Sequence, residues 1–382
     1  MDLPVAPPVL PMLAKPAPAT FFDKGEDVLF EPKWDGFRCL VFKDGDDIEL
    51  GSRNTKPLTR YFPEVVEAMR AQLPHRCVLD GEIVVALADD DGRSRLEFEM
   101  LQQRIHPAAS RITMLSQAVP ASYVAFDLLA EGAEDLTGTP MRIRRQRLES
   151  MLAGIQAPLH LTRVTTDPAV AREWFTSFEG AGLDGVVAKP LDGIYAPNQR
   201  TMIKIKHART ADVVLAGMRE HKASTPQRRL VGSLLLGLWA TDGDGFPRLQ
   251  HVGVAASFTE KRRAELWAEL NGLETALADH PWGQWASTGS AGSAGWAVAN
   301  PDRVPGTQSR WSQGKDLSFV PLRPERVLEV GYDHLEGRRF RHTAQFKRWR
   351  PDRDASSCDY RQLDEAGRYD LRDVWGSRET DV

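Results

Sequence analysis

The sequence predicts an α+β protein in two parts, a mixed-sheet domain with helices and then a small β-barrel. Three observations carry this. The chain up to about position 207 interleaves short apolar strand runs with helical runs, and hairpin-length turns join several successive strands, which favours a mixed sheet over a doubly wound parallel one. Beyond "KHARTAD" the pattern changes to five strand-like runs with one helix between the third and fourth. At 382 residues the chain is long enough for two cores.

Taken in order, Val28 to Phe30 and Cys39 to Phe42 read as a strand pair about a tight Asp35-Gly36 turn. "CVLDGEIVVAL" reads as a strand with an Asp-Gly turn inside it, "FEMLQQRI" as a helix and "SYVAFDLLA" as a strand. "MRIRRQRLESMLAG" is a helix stopped by Gly154. "LHLTRVT" is a strand, and "DPAVAREWFTSFEG" a helix with Asp167 as N-cap and Pro168 in its first turn. "GVVAKP" and "TMIKIK" close the first domain, 1–207, with the boundary near His207 to Asp212. In the second domain, 208–354, the runs "VVLAGMRE", "GSLLLGLWA", "LQHVGVAASF", "RVLEVGYDHL" and "FRHTAQFKRW" suit a Greek-key barrel of the oligonucleotide/oligosaccharide-binding (OB) kind. A Gly/Ser/Ala-rich stretch marks a flexible insertion at about 283–312, and 355–382 reads as a polar tail.

Composition excludes several classes. No apolar run approaches the ~20 residues that cross a bilayer, and the proline-rich N-terminus with its early acid is no secretory signal. Cys39, Cys77 and Cys358 form no C-x-x-C pair, and the histidines show no ligand spacing, so a reducing cytoplasm fits. The net charge of −4 does not announce a nucleic-acid binder. Local runs concentrate positive charge, notably "MRIRRQRLES", "TEKRRAEL" and "EGRRFRHTAQFKRWRPDR", and each reads either as a face for phosphate backbone or as a solvated face.

The chemistry centres on Lys33 in "EPKWDGFR". Alone, it reads equally as charged trim on a hairpin. A lysine nucleophile needs its pKa lowered from about 10.4 by desolvation or nearby cations. Asp35 shares its side of a strand and is placed to orient the amine. Further elements follow in order: Arg53 in "GSRN", Glu82 in "LDGEIV", Phe126 in "VAFDLL", Asp184 and Lys189 in "LDGVVAK", and Lys204 and Lys206 in "MIKIK". Glu82 and Asp184 offer oxygen ligands for a divalent metal. The cations can neutralise a triphosphate, and the aromatic can stack on a base.

This ordered set resembles the motifs of the covalent nucleotidyltransferases, specifically the ATP-dependent DNA ligases, and among them bacterial ligases of the ligase C and ligase D ligase-module type. "KWDGFR", "SRN", "DGE", "AFDLL", "DGVVAK", "MIKIK" and "RWRPDR" stand where motifs I, Ia, III, IIIa, IV, V and VI would. The resemblance covers about Pro11 to Arg353. It implies an adenylation domain of ATP-grasp-like mixed sheets with an OB-fold domain behind it, and a lysyl-AMP formed on Lys33. Glu31 would then read the adenine amine, and Arg38 and Arg53 would lie near ribose and phosphates. Glu82 would meet ribose or metal, Phe126 would stack on adenine, Val187 would line the nucleotide site and Asp184 would help bind Mg²⁺ or Mn²⁺. Lys204 and Lys206 would neutralise the α-phosphate, while Arg350 and Asp352 would orient the leaving pyrophosphate. The implied substrate is nicked double-stranded DNA. A monomer in the cytoplasm at the bacterial nucleoid, serving DNA repair and recombination, is implied too, with Ku, a repair polymerase or primase, or base-excision repair proteins as partners.

The sequence departs from the family pattern in places. Asp184 stands where motif IV usually has Glu, which points to water-mediated metal contact or a preference for Mn²⁺. Met202 replaces a common Trp, and Arg353 a common Lys, keeping charge but altering geometry. "HVGVAASF" is poorer in glycine and lysine than the family's run. The alternatives are an RNA ligase or mRNA-capping-type nucleotidyltransferase and, from another class, a non-catalytic nucleic-acid-binding protein. "AFDLL", "RWRPD" and a barrel directly after motif V favour DNA ligase, and the intact Lys33, Glu82, Lys204 and Lys206 argue against a pure binder.

Overall fold

The computed structural model describes residues 1–88, 91–106, 108–241, 245–283, 318–363 and 367–375. The chain divides into a first unit, Met1–His207 with Ala366–Val382, and a second, Ala208–Glu365. Among the described residues no helix is long and apolar enough to cross a membrane.

The first unit holds β1 (Leu13–Ala17), β2 (Val28–Pro32), β3 (Phe37–Asp44), β4 (Asp47–Ser52), β5 (Arg76–Ala88), β6 (Ser94–Leu96), β7 (Ala121–Glu131), β8 (Glu134–Asp135), β9 (Leu159–Leu161), β10 (Val186–Pro190) and β11 (Arg200–Ile205). They form a seven-stranded sheet, β4-β3-β5-β7-β8 with β6 on β5 and β9 on β7, and a four-stranded sheet, β1-β11-β10-β2. Period-two alternation fixes which face of each is apolar to the outside. In β3, Cys39 and Val41 join a core with Val65 and Met69 of the helix Pro63–Gln72, while Leu40 and Phe42 turn the other way. In β5, Cys77 and Leu79 follow the first pair and Val78 the second. The second set shares a cluster with Met202 of the four-stranded sheet and packs Val187, so the two sheets face each other there. The outer face of the smaller sheet buries Phe30, Val186, Ala188 and Ile205 with Ala171 and Trp174 of the helix Pro168–Ser177. Asp167 caps that helix, accepting from the amide of Ala169.

Two expected turns are not hairpin turns. β2 pairs with β10 and β3 with β4 and β5, so Asp35-Gly36 carries the chain from one sheet to the other. β5 runs unbroken through Asp80-Gly81, where the missing Cβ makes room for the Tyr123 ring. The helices Pro63–Gln72 and Ala109–Ala118, and β1, were not expected.

In the second unit β12 (Arg209–Glu220), β13 (Val231–Thr241), β14 (Pro247–Ala255), β15 (Val320–Tyr332) and β18 (Gln345–Trp349) form one sheet in the order β14-β13-β12-β15-β18, with β16 (Leu335–Glu336) and β17 (Arg339–Phe340) as a small hairpin. A parallel bridge between Ala255 and Ala344 links the two ends of the sheet and closes the barrel. The helix Glu260–Leu270, capped by Thr259, falls between the third and fourth strands and packs Leu266 and Leu270 into the barrel core. Of the insertion expected at about 283–312, all but Gly283 lies outside the described residues.

The stretch 355–382, expected as a polar tail, divides between the units. Cys358 and Leu363 are buried in the barrel core, and Trp239 Nε1 donates to the carbonyl of Ala355 at 2.9 Å. Leu371 and Val374 are buried in the first unit. Leu371 and Val374, three apart in the short helix Leu371–Trp375, fall on one face of it.

Candidate active site

Lys33 directly follows β2. Its amide donates to the Gly185 carbonyl and its carbonyl accepts from the Asp184 amide, each at 2.9 Å. Gly185 has φ of +108°, and a Cβ there would strike the carbonyl oxygen of Ile205, so glycine is required. The stitched turn delivers the Asp184 carboxylate to the lysine. Lys33 Nζ lies 2.7 Å from Asp184 Oδ2, and Lys206 Nζ lies 2.9 Å from the same oxygen. These side chains are 22–23% exposed, so a solute can reach them. Burial pushes the Asp184 carboxyl up, but Lys33 and Lys206 outweigh it and hold it below the ordinary range. Two ammonium groups on one carboxylate leave a net positive charge, the complement of a polyphosphate. The orienting carboxylate on Lys33 is thus Asp184. Asp35 lies in the crossover between β2 and β3 rather than on a strand beside Lys33.

The seven-stranded sheet supplies the facing groups by the same alternation. Arg38 pairs across strands with Glu82, and Asp80 is two residues from Glu82 on the same face. The Arg38 guanidinium forks onto the fully buried Asp80, Nε to Oδ1 and Nη2 to Oδ2 at 2.6 Å each, and the Tyr195 hydroxyl donates to Oδ2 at 2.6 Å. Burial disfavours the Arg38 cation, but Asp80 more than restores it. Glu82 is pushed up to about 7 by burial, against the pull of Arg38 and Lys33. Phe126 on β7 has the Arg38 guanidinium 4.5 Å and Lys189 Nζ 4.7 Å from its ring centroid.

On the four-stranded sheet Lys204, Val187 and Glu31 stand in one row across β11, β10 and β2. Lys189, two residues beyond Val187, bonds Glu31 Oε2 at 2.9 Å and donates to the carbonyl of Phe126 at 3.0 Å. Glu31 Oε1 is buried without a hydrogen-bond partner. Burial raises the Glu31 carboxyl despite the opposing Lys189.

The structure therefore brings together Lys33, Asp184 and Lys206, then Arg38, Glu82 and Phe126, and the row Glu31, Val187 and Lys204. Arg53 is exposed in the turn after β4, with no hydrogen bond or ion pair to these residues among those described. Arg350 and Asp352 belong to the second unit, where Arg350 Nη1 reaches both oxygens of Asp212 at 2.9 Å and Nη2 reaches Asp352 Oδ2 at 2.8 Å. Arg350 holds the Asp352 carboxyl down at about 2. Sequence reasoning missed Asp80, read as a turn residue, and Tyr195. Period two from Glu82 was the available signal for Asp80.

In two basic runs some of the arginines are structural. Arg144 is fully buried on Asp127, with Nε 2.7 Å from Oδ1, and Arg145 Nη2 donates to the Thr162 carbonyl at 2.8 Å. Arg263 Nη1 donates to the carbonyls of Val231 and Gly232 at 2.7 and 2.6 Å. Among the described residues no cluster of three or more His, Cys, Asp or Glu could cage a metal. Glu82 and Asp184, both close enough to feel the charge of Lys33, are carboxylates of the kind that shares a hard cation with water and phosphate oxygens.

The two-sheet domain with its lysine–carboxylate cluster and the five-stranded barrel are the parts of a nucleotidyltransferase with an OB-fold domain. Residues 11–206 match the family model described as ATP dependent DNA ligase domain, and 227–353 that described as ATP dependent DNA ligase C terminal region. The chain belongs to the ATP-dependent DNA ligases: it uses ATP and seals nicks in duplex DNA. It is 54% identical over 378 residues to DNA ligase C of Mycobacterium tuberculosis, covering 98% of this chain and 99% of that one. It is 48% identical over 379 residues to DNA ligase C1 of Mycolicibacterium smegmatis, covering 98% and 99%. The solved structure named "Pmar-Lig_PreS3" has a TM-score of 0.56 at 16% identity, covering 90% of this chain and 68% of that one, and shows the likeness of fold alone.

Proposed function

We propose that Lys33 is the nucleotidyl acceptor of this ligase. Its Nζ, once it has released a proton to water, attacks the α-phosphorus of ATP, forming a P–N bond to AMP and breaking the bond to pyrophosphate. AMP then passes to a 5′-phosphate at a nick, and attack by the 3′-hydroxyl joins the strands and releases AMP. The observation that carries this is the Lys33–Asp184–Lys206 cluster, a reachable amine held on a shared carboxylate with surplus positive charge.

Around it, Lys206 and Lys204 neutralise the α-phosphate, and Arg38, fixed by Asp80, and Arg53 serve the ribose and phosphates. Asp35 shapes the crossover beside the acceptor. Phe126 and Val187 flank the base, and the unpartnered Glu31 Oε1 takes the adenine amine. Arg350 and Asp352 orient the leaving pyrophosphate. Glu82 and Asp184 would hold Mg²⁺ or Mn²⁺, which when bound stabilises charge building on the phosphoryl oxygens. Charge neutralisation and positioning, rather than proton transfer by side chains, lower the barrier.

The repair role, with Ku, a repair polymerase or primase, or base-excision proteins as partners at the nucleoid, rests on the motif resemblance. A cytoplasmic setting accords with three buried free thiols.

The test is intact mass after incubation with ATP and Mg²⁺ or Mn²⁺, on protein first stripped of AMP with pyrophosphate. Gain of one acid-labile AMP by the wild type and none by Lys33→Ala is expected. An adduct on Lys33→Ala would overturn the assignment.

A further inference from the structure

The residue after the acceptor, Trp34, turns its side chain away into the first unit's core and is 5% exposed. Its Nε1 donates to Thr162 Oγ1 at 2.8 Å. One face of the indole is covered by Trp375, with ring centroids 4.6 Å apart and planes 18° from parallel. Trp375 in turn stacks on His160 at 3.9 Å and 21°. The indole from the far end of the chain thus lies against the residue next to the acceptor. Nothing in the adenylation motifs requires it.

The segment bearing Trp375 is built onto the first unit along its length. Gly367 approaches the backbone of Gly180 so closely that a Cβ at Gly180 would collide with the Gly367 carbonyl. Asp370 Oδ1 accepts from the amide of Ser94 at 3.3 Å, and Arg368 Nη1 bonds Asp91 Oδ2 at 2.6 Å. Arg372 Nη2 donates to the Gly92 carbonyl at 3.2 Å, and Leu371 and Val374 are buried.

We infer that Trp375 is a positioning residue for the adenylylation step, a cover that holds Trp34 and through it the backbone of Lys33; this rests on Lys33 being the acceptor. Three constraints meet on the dipeptide Lys33-Trp34: the Asp184–Gly185 turn fixes its peptide groups, Thr162 fixes the indole edge, and Trp375 closes the indole face. Removing the last opens a large apolar ring to water and frees the indole to tilt. An acceptor nitrogen displaced by a fraction of an ångström from its line of attack loses rate steeply. Among the described residues the rings that Trp375 stacks on are Trp34 and His160, neither of them assigned to ATP, so its effect falls on the chemical step and not on ATP affinity.

The experiment is single-turnover adenylylation of the full chain, stripped of AMP, over a range of ATP concentrations well below the unfolding temperature. Wild type, Trp375→Ala, Trp375→Phe and Lys33→Ala are compared. Trp375→Ala is expected to lose about tenfold in maximal rate with half-saturating ATP unchanged, and Trp375→Phe, which restores a stacking ring, to recover most of it. An unchanged rate with a lowered unfolding temperature would make the segment a brace only and overturn the inference. So would a fall in rate matched by a rise in half-saturating ATP. AMP gained by Lys33→Ala would instead sink the acceptor assignment.

Discussion

Two lysine–carboxylate pairs in the first unit differ above all in exposure. Lys33 and Asp184 are each 22% exposed, whereas Lys189 and Glu31 are 3% and 4% exposed. The contact lengths, 2.7 and 2.9 Å, are nearly the same. Exposure decides what each pair can do. The half-open pair can exchange its carboxylate for a phosphate, because water or substrate can compensate either charge. The closed pair cannot part without stranding a charge, so it serves as a fixture, holding Glu31 and the Phe126 carbonyl in place.

Breaking the comparison at its catalytic end should give the largest effect. Lys33→Met is expected to abolish covalent AMP while costing less than about 1 kcal/mol of stability in urea unfolding. The closed pair should behave oppositely. Lys189→Met leaves Glu31 buried and unpaired, and a loss of about 3–5 kcal/mol is expected, measured by the same unfolding curves. Equal stability losses in the two variants would erase the distinction.

A third, smaller effect sharpens the electrostatic side. Glu82 titrates near 7, so below that pH it is mostly protonated and above it mostly charged. Its proposed contact to metal or ribose needs the charged form, so adenylylation should gain severalfold as pH rises through about 7. Glu82→Gln should remove that inflection in a pH–rate profile and leave any other.

The smallest effect concerns the basic run in the helix Met141–Met151. Arg147 is 30% exposed and bonds Glu131 and Glu134. Arg147→Ala should change stability by about 0.2–1 kcal/mol. Wild-type affinity for nicked duplex should fall steeply with salt, and Arg147→Ala should keep that slope, read from a binding titration at several salt concentrations. A slope reduced by about one would return the run to the DNA-binding surface.

Much of this was legible in the sequence, and unevenly so. The Asp167 cap and the five barrel strands with their helix are local patterns, and local patterns survive without knowledge of partners. The pairing of β2 was not legible, because its neighbour β10 begins 158 positions further on, at Val186 against Val28, and only tertiary packing selects it. Asp80 looked like a turn because Asp-Gly usually is one, and only burial beside Arg38 and Tyr195 gives it another use. The arginines of the helix Met141–Met151 show the same limit, since charge in a sequence does not say whether a carboxylate waits inside.

The division of 355–382 has a mechanical consequence. The chain passes between the units twice, at His207–Ala208 and again at Glu365–Ala366. The second unit's chain is thus tied to the first unit at both ends, and the later tie holds only as firmly as Leu371 and Val374 hold in the first unit's core.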